Sequence, residues 1–210
     1  MRELRLGPLY PITAMESALG SSHLQQVETY LDTGIRLFQV RDKLLDDEAL
    51  YRQLLQIRQL CSAENASFIV NDRVDLAQAS GAAGVHLGQK DLPVAAAREI
   101  LGNESVIGIS THDREQFLEA QRADVDYVAV GPIFHTGTKE SDNEPLGLDF
   151  LRAIAKKRNH PLVAIGGIQL DNVHQVWKAG ADSVAVVSDI AASQDPANRI
   201  YSYLDRWQQC

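Results

Sequence analysis

Gly34-Ile35-Arg36-Leu37-Phe38-Gln39-Val40-Arg41-Asp42-Lys43 contains an apolar strand, Ile35 to Arg41, that turns polar at its end. Side chains alternate between the two faces of a strand, so Gln39, Arg41 and Lys43 share one side while Phe38, Val40 and Asp42 take the other. An amide and two cations therefore stand on a single surface. A strand buried on both faces reads as nearly continuous apolar sequence, and two uncompensated cations there are costly, so something negative is expected opposite them. A strand that simply runs out into solvent, with Arg41 and Lys43 pairing to Asp42, Asp46 or Asp47, is the other reading of the same residues.

Three more segments repeat this form: Gly84-Val85-His86-Leu87-Gly88-Gln89, Asp126-Tyr127-Val128-Ala129-Val130-Gly131 and Asp182-Ser183-Val184-Ala185-Val186-Val187-Ser188. Each begins just after a helix end and finishes on a polar or glycine position. Leu9 to Thr13, Ser67 to Asn71, Val106 to Ser110 and Leu162 to Ile165 read as strands between them. Helical spacing fills the intervals: Leu24, Val27, Tyr30 and Leu31; Leu50, Leu54, Ile57 and Leu60; Val74 to Ser80, ended by Gly81; Pro93 to Leu101; His112 to Arg122; Leu148 to Lys157; Asp171 to Lys178; and Pro196 to Trp207. Strands alternating with helices at this spacing imply parallel, right-handed βαβ units. Eight such units in 210 residues fit a single (β/α)8 TIM barrel occupying 1–210. An open doubly wound sheet would need a G-x-G-x-x-G fingerprint at its first helix, which this sequence lacks. The polar stretch from His135 to Pro145 is longer than the usual connection and is a lid candidate.

No Pro/Gly/Ser-rich linker divides the chain, which reads as one catalytic domain. The formal net charge of -8 argues against a nucleic-acid surface or a polybasic membrane patch, so an anionic ligand must be held by local cations against the global sign. Cys61 and Cys210 form no metal or redox spacing and fit a reducing cytosol. Without a signal-peptide core or a run long enough to span a membrane, the expectation is a soluble, cytoplasmic protein. Oligomeric state leaves no signature.

In a barrel of this kind the active site forms at the C-terminal ends of the strands. Gln39, Arg41 and Lys43 follow the second strand, Asn71 and Asp72 the third, and Gln89 and Asp91 the fourth. Ser110 follows the fifth, Thr136, Thr138 and Lys139 the sixth, Gly166 and Gly167 the seventh, and Ser188 the eighth. All face one mouth. Asp72 and Asp91 end neighbouring strands, and two carboxylates completed by phosphate oxygens and water are a common way to hold Mg²⁺. Asp72 can equally cap the next helix, and Asp91 can serve as a helix N-terminal charge before Pro93. Their occurrence opposite Arg41, Lys43 and Lys139 favours a metal–pyrophosphate site.

Gly166-Gly167-Ile168 and Val187-Ser188 stand where phosphate-binding barrels present backbone N–H groups to a phosphate monoester, although glycines there also serve as turn formers. Thr136 and Thr138 can donate hydroxyls to a ligand lying between the two anion sites. Two such sites, one with a metal, imply two phosphorylated substrates or one bisphosphate, and they point to displacement of pyrophosphate, because a metal neutralises the charge developing on that leaving group. No paired Ser/His/Asp or Cys/His constellation is visible, and His86, His112 and His135 read as structural or surface residues.

The segments Gln39–Lys43, Asn71-Asp72-Arg73-Val74-Asp75-Leu76-Ala77, Val85–Asp91, Gly108-Ile109-Ser110-Thr111-His112, Gly131–Lys139, Ala164–Ile168 and Val186–Ser188 together resemble the thiamine phosphate synthase family, in order, from about Leu9 to Ile190. The resemblance implies coupling of 4-amino-2-methyl-5-hydroxymethylpyrimidine diphosphate to 4-methyl-5-(2-hydroxyethyl)thiazole phosphate with Mg²⁺. It implies that Gln39, Val40, Arg41, Asp42, Lys43, Asn71, Ser110 and Lys139 bind the pyrimidine diphosphate, with Arg41, Lys43, Ser110 and Lys139 acting in catalysis. Asp72 and Asp91 would hold Mg²⁺, and Thr136, Gly137, Thr138, Gly167, Val187 and Ser188 the thiazole phosphate. The family's mechanism is dissociative: pyrophosphate leaves and the thiazole nitrogen captures a pyrimidine-methylene cation. This chain departs from the common pattern at Asp42, where Glu is frequent, and at His135, Ala14 and Asp189. A thiazole tautomerase sharing the fold has no need of the diphosphate cluster, and a catalytically idle binding protein has little use for both aspartates.

Overall fold

Each strand of a parallel sheet needs a crossover to reach the next, and in this chain a helix supplies it every time. The computed structural model describes residue 4 and residues 6–14, 20–136 and 144–210. The strands are β1 (Leu9–Pro11), β2 (Leu37–Val40), β3 (Ser67–Asn71), β4 (Gly84–Leu87), β5 (Val106–Thr111), β6 (Tyr127–Val130), β7 (Leu162–Ile165) and β8 (Ser183–Val186). The helices are α1 (His23–Asp32), α2 (Asp47–Ala63), α3 (Val74–Ser80), α4 (Val94–Leu101), α5 (Arg114–Ala120), α6 (Gly147–Ala155), α7 (Val173–Lys178), α8 (Ser188–Ala191) and α9 (Pro196–Gln208). The eight strands pair in the order β1-β8-β7-β6-β5-β4-β3-β2, all in parallel. A bridge between Ile12 and Gln39, with the Thr13 N–H donating to the Gln39 carbonyl at 2.9 Å, closes β1 onto β2. The (β/α)8 barrel expected from the sequence is the fold observed.

Strand alternation divides the core into two layers. Tyr10, Leu37, Ile69, Tyr127, Ala129 and Val163 fill the barrel, while Phe38, Val40, Val70, Val85 and Val128 pack outward against the helices. Gly108 leaves room for an inward ring: a Cβ there would stand 2.1 Å from the Tyr127 ring. The shared form of β6 and β8 has a physical cause at their leading aspartates. Asp126 Oδ2 accepts from the Ile107 N–H at 2.8 Å and Arg98 Nη2 at 2.9 Å, and Asp182 repeats the arrangement with the Leu162 N–H at 2.8 Å and Arg158 at 2.7 Å.

Two boundaries differ informatively from the periodicity. The second strand ends at Val40 rather than Arg41 because the Asp42 carboxylate accepts from the N–H groups of Leu44 (2.7 Å) and Leu45 (2.8 Å), folding the chain into a turn. The short α8, immediately after β8, has too few residues to show a period and goes unforeseen.

Candidate active site

The strand ends bring half of the expected site residues to one cavity of about 130 Å³ in the barrel mouth. Gln39, Arg41, Asn71, Ser110, Thr136, Gly167, Val187 and Ser188 all line it. Gln39 is buried inside the barrel, and Arg41 pairs with no carboxylate among the described residues. Among the described residues, neither Arg41 nor Lys43 makes the pairs to Asp42, Asp46 or Asp47 that the surface reading requires. Asp46 caps α2 by accepting from the Ala49 N–H, Asp47 takes Arg73, and Asp42 turns to His23, with His23 Nε2 and Asp42 Oδ2 2.8 Å apart.

Lys43 instead reaches across to β3, where its ammonium bonds Asp72. Asp72 does not cap α3: Arg73 holds the N-cap position without a side-chain cap bond. Asp72 adopts a φ of 62°, a left-handed conformation unusual outside glycine, which turns it toward the mouth. Asp91 Oδ2 accepts from the Gly88 N–H at 2.7 Å, closing the turn after β4 rather than capping α4. Burial and the adjoining Asp72 carboxylate push the Asp91 carboxyl above its ordinary range, against the opposing pull of the Gly88 N–H and Lys43. Lys43, Asp72 and Asp91 thus form one cluster on the rim, beside the cavity.

The opposite wall is glycine-built. Gly167 has a φ of 63°, and a Cβ there would lie 2.4 Å from the His135 carbonyl, so both its conformation and the packing of the loop after β6 demand glycine. Its turn role is therefore real, and the same turn leaves the Gly167 N–H with no carbonyl acceptor among the described residues. Ser188 opens α8 on the next strand end, exposed.

Other expected residues are placed differently. Val40 is buried on the outer layer, and neither it nor Asp42, whose carboxylate is taken up by His23 and the turn N–H groups, lines the cavity. For Asp42 burial works upward, but the Leu45 N–H, His23 and the Leu44 N–H together hold its carboxyl below the usual range. Gly137, Thr138 and Lys139, with most of the proposed lid, lie outside the described residues.

Three residues at and beneath the cavity floor were not picked out by the sequence pattern. His86, read there as structural or surface, is buried, lines the cavity, and places Nε2 2.8 Å from Ser110 Oγ and Nδ1 2.8 Å from the Tyr127 hydroxyl. Tyr10 and Tyr127 sit 3.0 Å apart, hydroxyl to hydroxyl. The alternation of Val85, His86 and Leu87 already placed the imidazole inward. What sequence could not supply was the register, which sets His86 opposite Gly108, two residues before Ser110.

A parallel barrel with paired carboxylates and a lysine on its rim, and a glycine turn across the mouth, defines a (β/α)8 protein built to hold anionic small molecules. Residues 9–190 match the family described as "TMP-TENI: Thiamine monophosphate synthase". A thiamine-phosphate synthase of Pelotomaculum thermopropionicum is 42% identical over 187 residues, covering 89% of this chain and 86% of that protein. One from Methanospirillum hungatei is 41% identical over 197 residues, 94% of this chain and 96% of its own. The solved structure of thiamine phosphate pyrophosphorylase from Pyrococcus furiosus superposes with a TM-score of 0.87 at 34% identity, covering 96% of this chain and 95% of that one. The chain belongs to the thiamine monophosphate synthase family. No described helix is long and apolar enough to cross a membrane.

Proposed function

We propose that this chain, acting as one catalytic barrel over 1–210, joins 4-amino-2-methyl-5-hydroxymethylpyrimidine diphosphate to 4-methyl-5-(2-hydroxyethyl)thiazole phosphate, releasing pyrophosphate and thiamine phosphate. Relatives of 41% to 42% identity over about nine-tenths of the chain carry the thiamine-phosphate synthase name. The observation that carries the substrate assignment is the rim cluster of Lys43, Asp72 and Asp91, beside a cavity that Arg41 also lines.

Asp72 and Asp91 fit a hard divalent cation such as Mg²⁺. Their carboxylates adjoin one another, raising the Asp91 carboxyl, and no cluster of three or more His, Cys, Asp or Glu among the described residues offers an all-protein cage. Ligand oxygens and water would complete the shell. When bound, the ion neutralises charge on the departing diphosphate.

The chain's own groups do the rest. Arg41 and Lys43 hold the diphosphate, with Lys139 joining them by resemblance to the family. Asn71 and Ser110 orient the pyrimidine inside the cavity, whose apolar lining residues Ile12, Ala129 and Val163 exclude water from the cation formed as the C–O bond breaks. Gly167, Val187 and Ser188, with Thr136, Gly137 and Thr138, hold the thiazole phosphate so that its ring nitrogen faces that carbon. A neutral ring nitrogen needs no general base. Soluble phosphorylated substrates fit a cytoplasmic setting.

The test is to mix both substrates with the protein, with and without Mg²⁺, and to measure thiamine phosphate and pyrophosphate together. Equal amounts of both products, dependent on Mg²⁺, are expected. Isomerisation of a thiazole phosphate in place of coupling would indicate the tautomerase.

A further inference from the structure

A line of hydrogen bonds crosses the barrel beneath the cavity, and the coupling reaction described above makes no use of its inner members. Gln39 Nε2 lies 3.5 Å from the Tyr10 hydroxyl, which lies 3.0 Å from that of Tyr127. Tyr127 continues to His86 Nδ1 at 2.8 Å, and His86 Nε2 to Ser110 Oγ at 2.8 Å. The five residues come from β2, β1, β6, β4 and β5, so the line is fixed by the barrel itself. The His86 ring also stacks on Tyr127, with centroids 5.4 Å apart and planes 25° apart, which sets its orientation.

The line has a direction. A neutral imidazole donates from one nitrogen and accepts at the other, and each phenol has a single proton to give. Suppose Ser110 donated to Nε2. Then Nδ1 would donate to Tyr127 and Tyr127 to Tyr10, and the Tyr10 proton would face the Gln39 NH₂ group, which cannot accept. In the opposite sense every donor in the line meets an acceptor: Gln39 to Tyr10, Tyr10 to Tyr127, Tyr127 to Nδ1, and Nε2–H to Ser110. Burial keeps both phenols protonated, with Tyr10 pushed up to about 12 and Tyr127 raised well above its ordinary value. The Ser110–His86 spacing is that of a nucleophile and its base, but in this sense the lone pair is on the wrong nitrogen. Ser110, having accepted from His86, turns its own proton to the cavity it lines.

We infer that His86 is a positioning residue: held by Tyr127 as the Nε2–H tautomer, it makes Ser110 a hydrogen-bond donor to the pyrimidine diphosphate and denies it a base. The identity of that ligand rests on the function proposed above; the tautomer does not.

The tautomer is read by ¹⁵N NMR of histidine-labelled protein without substrate near neutral pH. The expected spectrum shows Nδ1 bare and Nε2 protonated for His86, and a mixture of tautomers in Tyr127→Phe. A protonated Nδ1 with a bare Nε2 overturns the inference. In coupling assays, His86→Leu is expected to lose about tenfold in kcat/KM for the pyrimidine diphosphate, the worth of one hydrogen bond, with KM for the thiazole phosphate unchanged. His86→Gln, which retains an N–H donor, recovers most of that loss. In a Ser110→Ala background, His86→Leu causes no further loss. Additive losses, or a glutamine variant as impaired as leucine, refute action through Ser110. Absence of thiamine phosphate from the wild type would remove the proposed function while leaving the tautomer result standing.

Discussion

Asp91→Asn should move activity and stability in opposite directions. The Asp91 carboxylate adjoins that of Asp72, and two like charges ~4 Å apart repel by ~4 kcal/mol at an effective dielectric of about 20. The Lys43 ammonium on Asp72 and the Gly88 N–H on Asp91 offset most of this. Asparagine keeps an oxygen for the Gly88 N–H and removes the charge. The metal-free variant should therefore gain on the order of 1 kcal/mol, a Tm rise of ~2–4 °C for a chain of this size. Turnover should fall by ~10²–10³, the usual loss when a group stabilising charge in the transition state is removed. Adding Mg²⁺ with pyrophosphate should raise the wild-type Tm and move the variant much less, because only ligands of the folded state stabilise it. Differential scanning fluorimetry and product release at saturating substrates measure both sides. A lower Tm in the variant with turnover preserved would refute the argument, as would an equal Mg²⁺ shift in both proteins.

Ser188→Asp places an anion beside the Gly167 turn and should weaken thiazole phosphate binding at least tenfold, leaving diphosphate binding nearly untouched; equal losses in calorimetric titrations would contradict separate pockets. Asp42 has its carboxyl held below the usual range, so its contribution is present above about pH 4 and is lost as pH falls through the folded-state value. Urea midpoints of wild type and Asp42→Asn should accordingly differ above about pH 4 and converge only once pH has fallen below the folded-state value, and a gap that survives protonation of the carboxyl would count against the His23–Asp42 and turn contacts as its source. Arg98 is buried and bonds the carbonyls of Gly102, Ser105 and Asp124 together with the Asp126 carboxylate. Arg98→Met strands these acceptors and should cost ~3–5 kcal/mol in chemical denaturation with unchanged KM values; a loss below about 1 kcal/mol would show the network to be dispensable.

The barrel was legible because its strands carry their own punctuation. Ser67–Asn71, Gly84–Leu87 and Leu162–Ile165 fall where the apolar runs place them. The second strand stops one residue early for a reason that alternation cannot encode, namely the Asp42 carboxylate capturing two N–H groups further along. The mouth was legible for the same reason as the strands: the position after each strand end is defined once the strands are. His86 was undervalued because its meaning depends on partners 24 and 41 residues away, Ser110 and Tyr127, and a single chain shows composition at a strand end but not which inward residues share a layer.

The rim and the floor of this site are built on opposite principles. On the rim, Asp72 holds a left-handed φ of 62° and its carboxylate adjoins that of Asp91, two features that each oppose folding. Beneath it, Gln39, Tyr10, Tyr127, His86 and Ser110 form a satisfied hydrogen-bonded line on five strands. In the function proposed above the rim receives a divalent ion and a diphosphate, and groups with that task gain from being strained and over-charged when empty, because binding relieves both. A group that must present one proton in one direction gains from being over-determined. Relaxing the rim should therefore stabilise the protein and slow it, whereas loosening the floor should weaken both, and this difference in sign separates the two roles without a bound ligand in view.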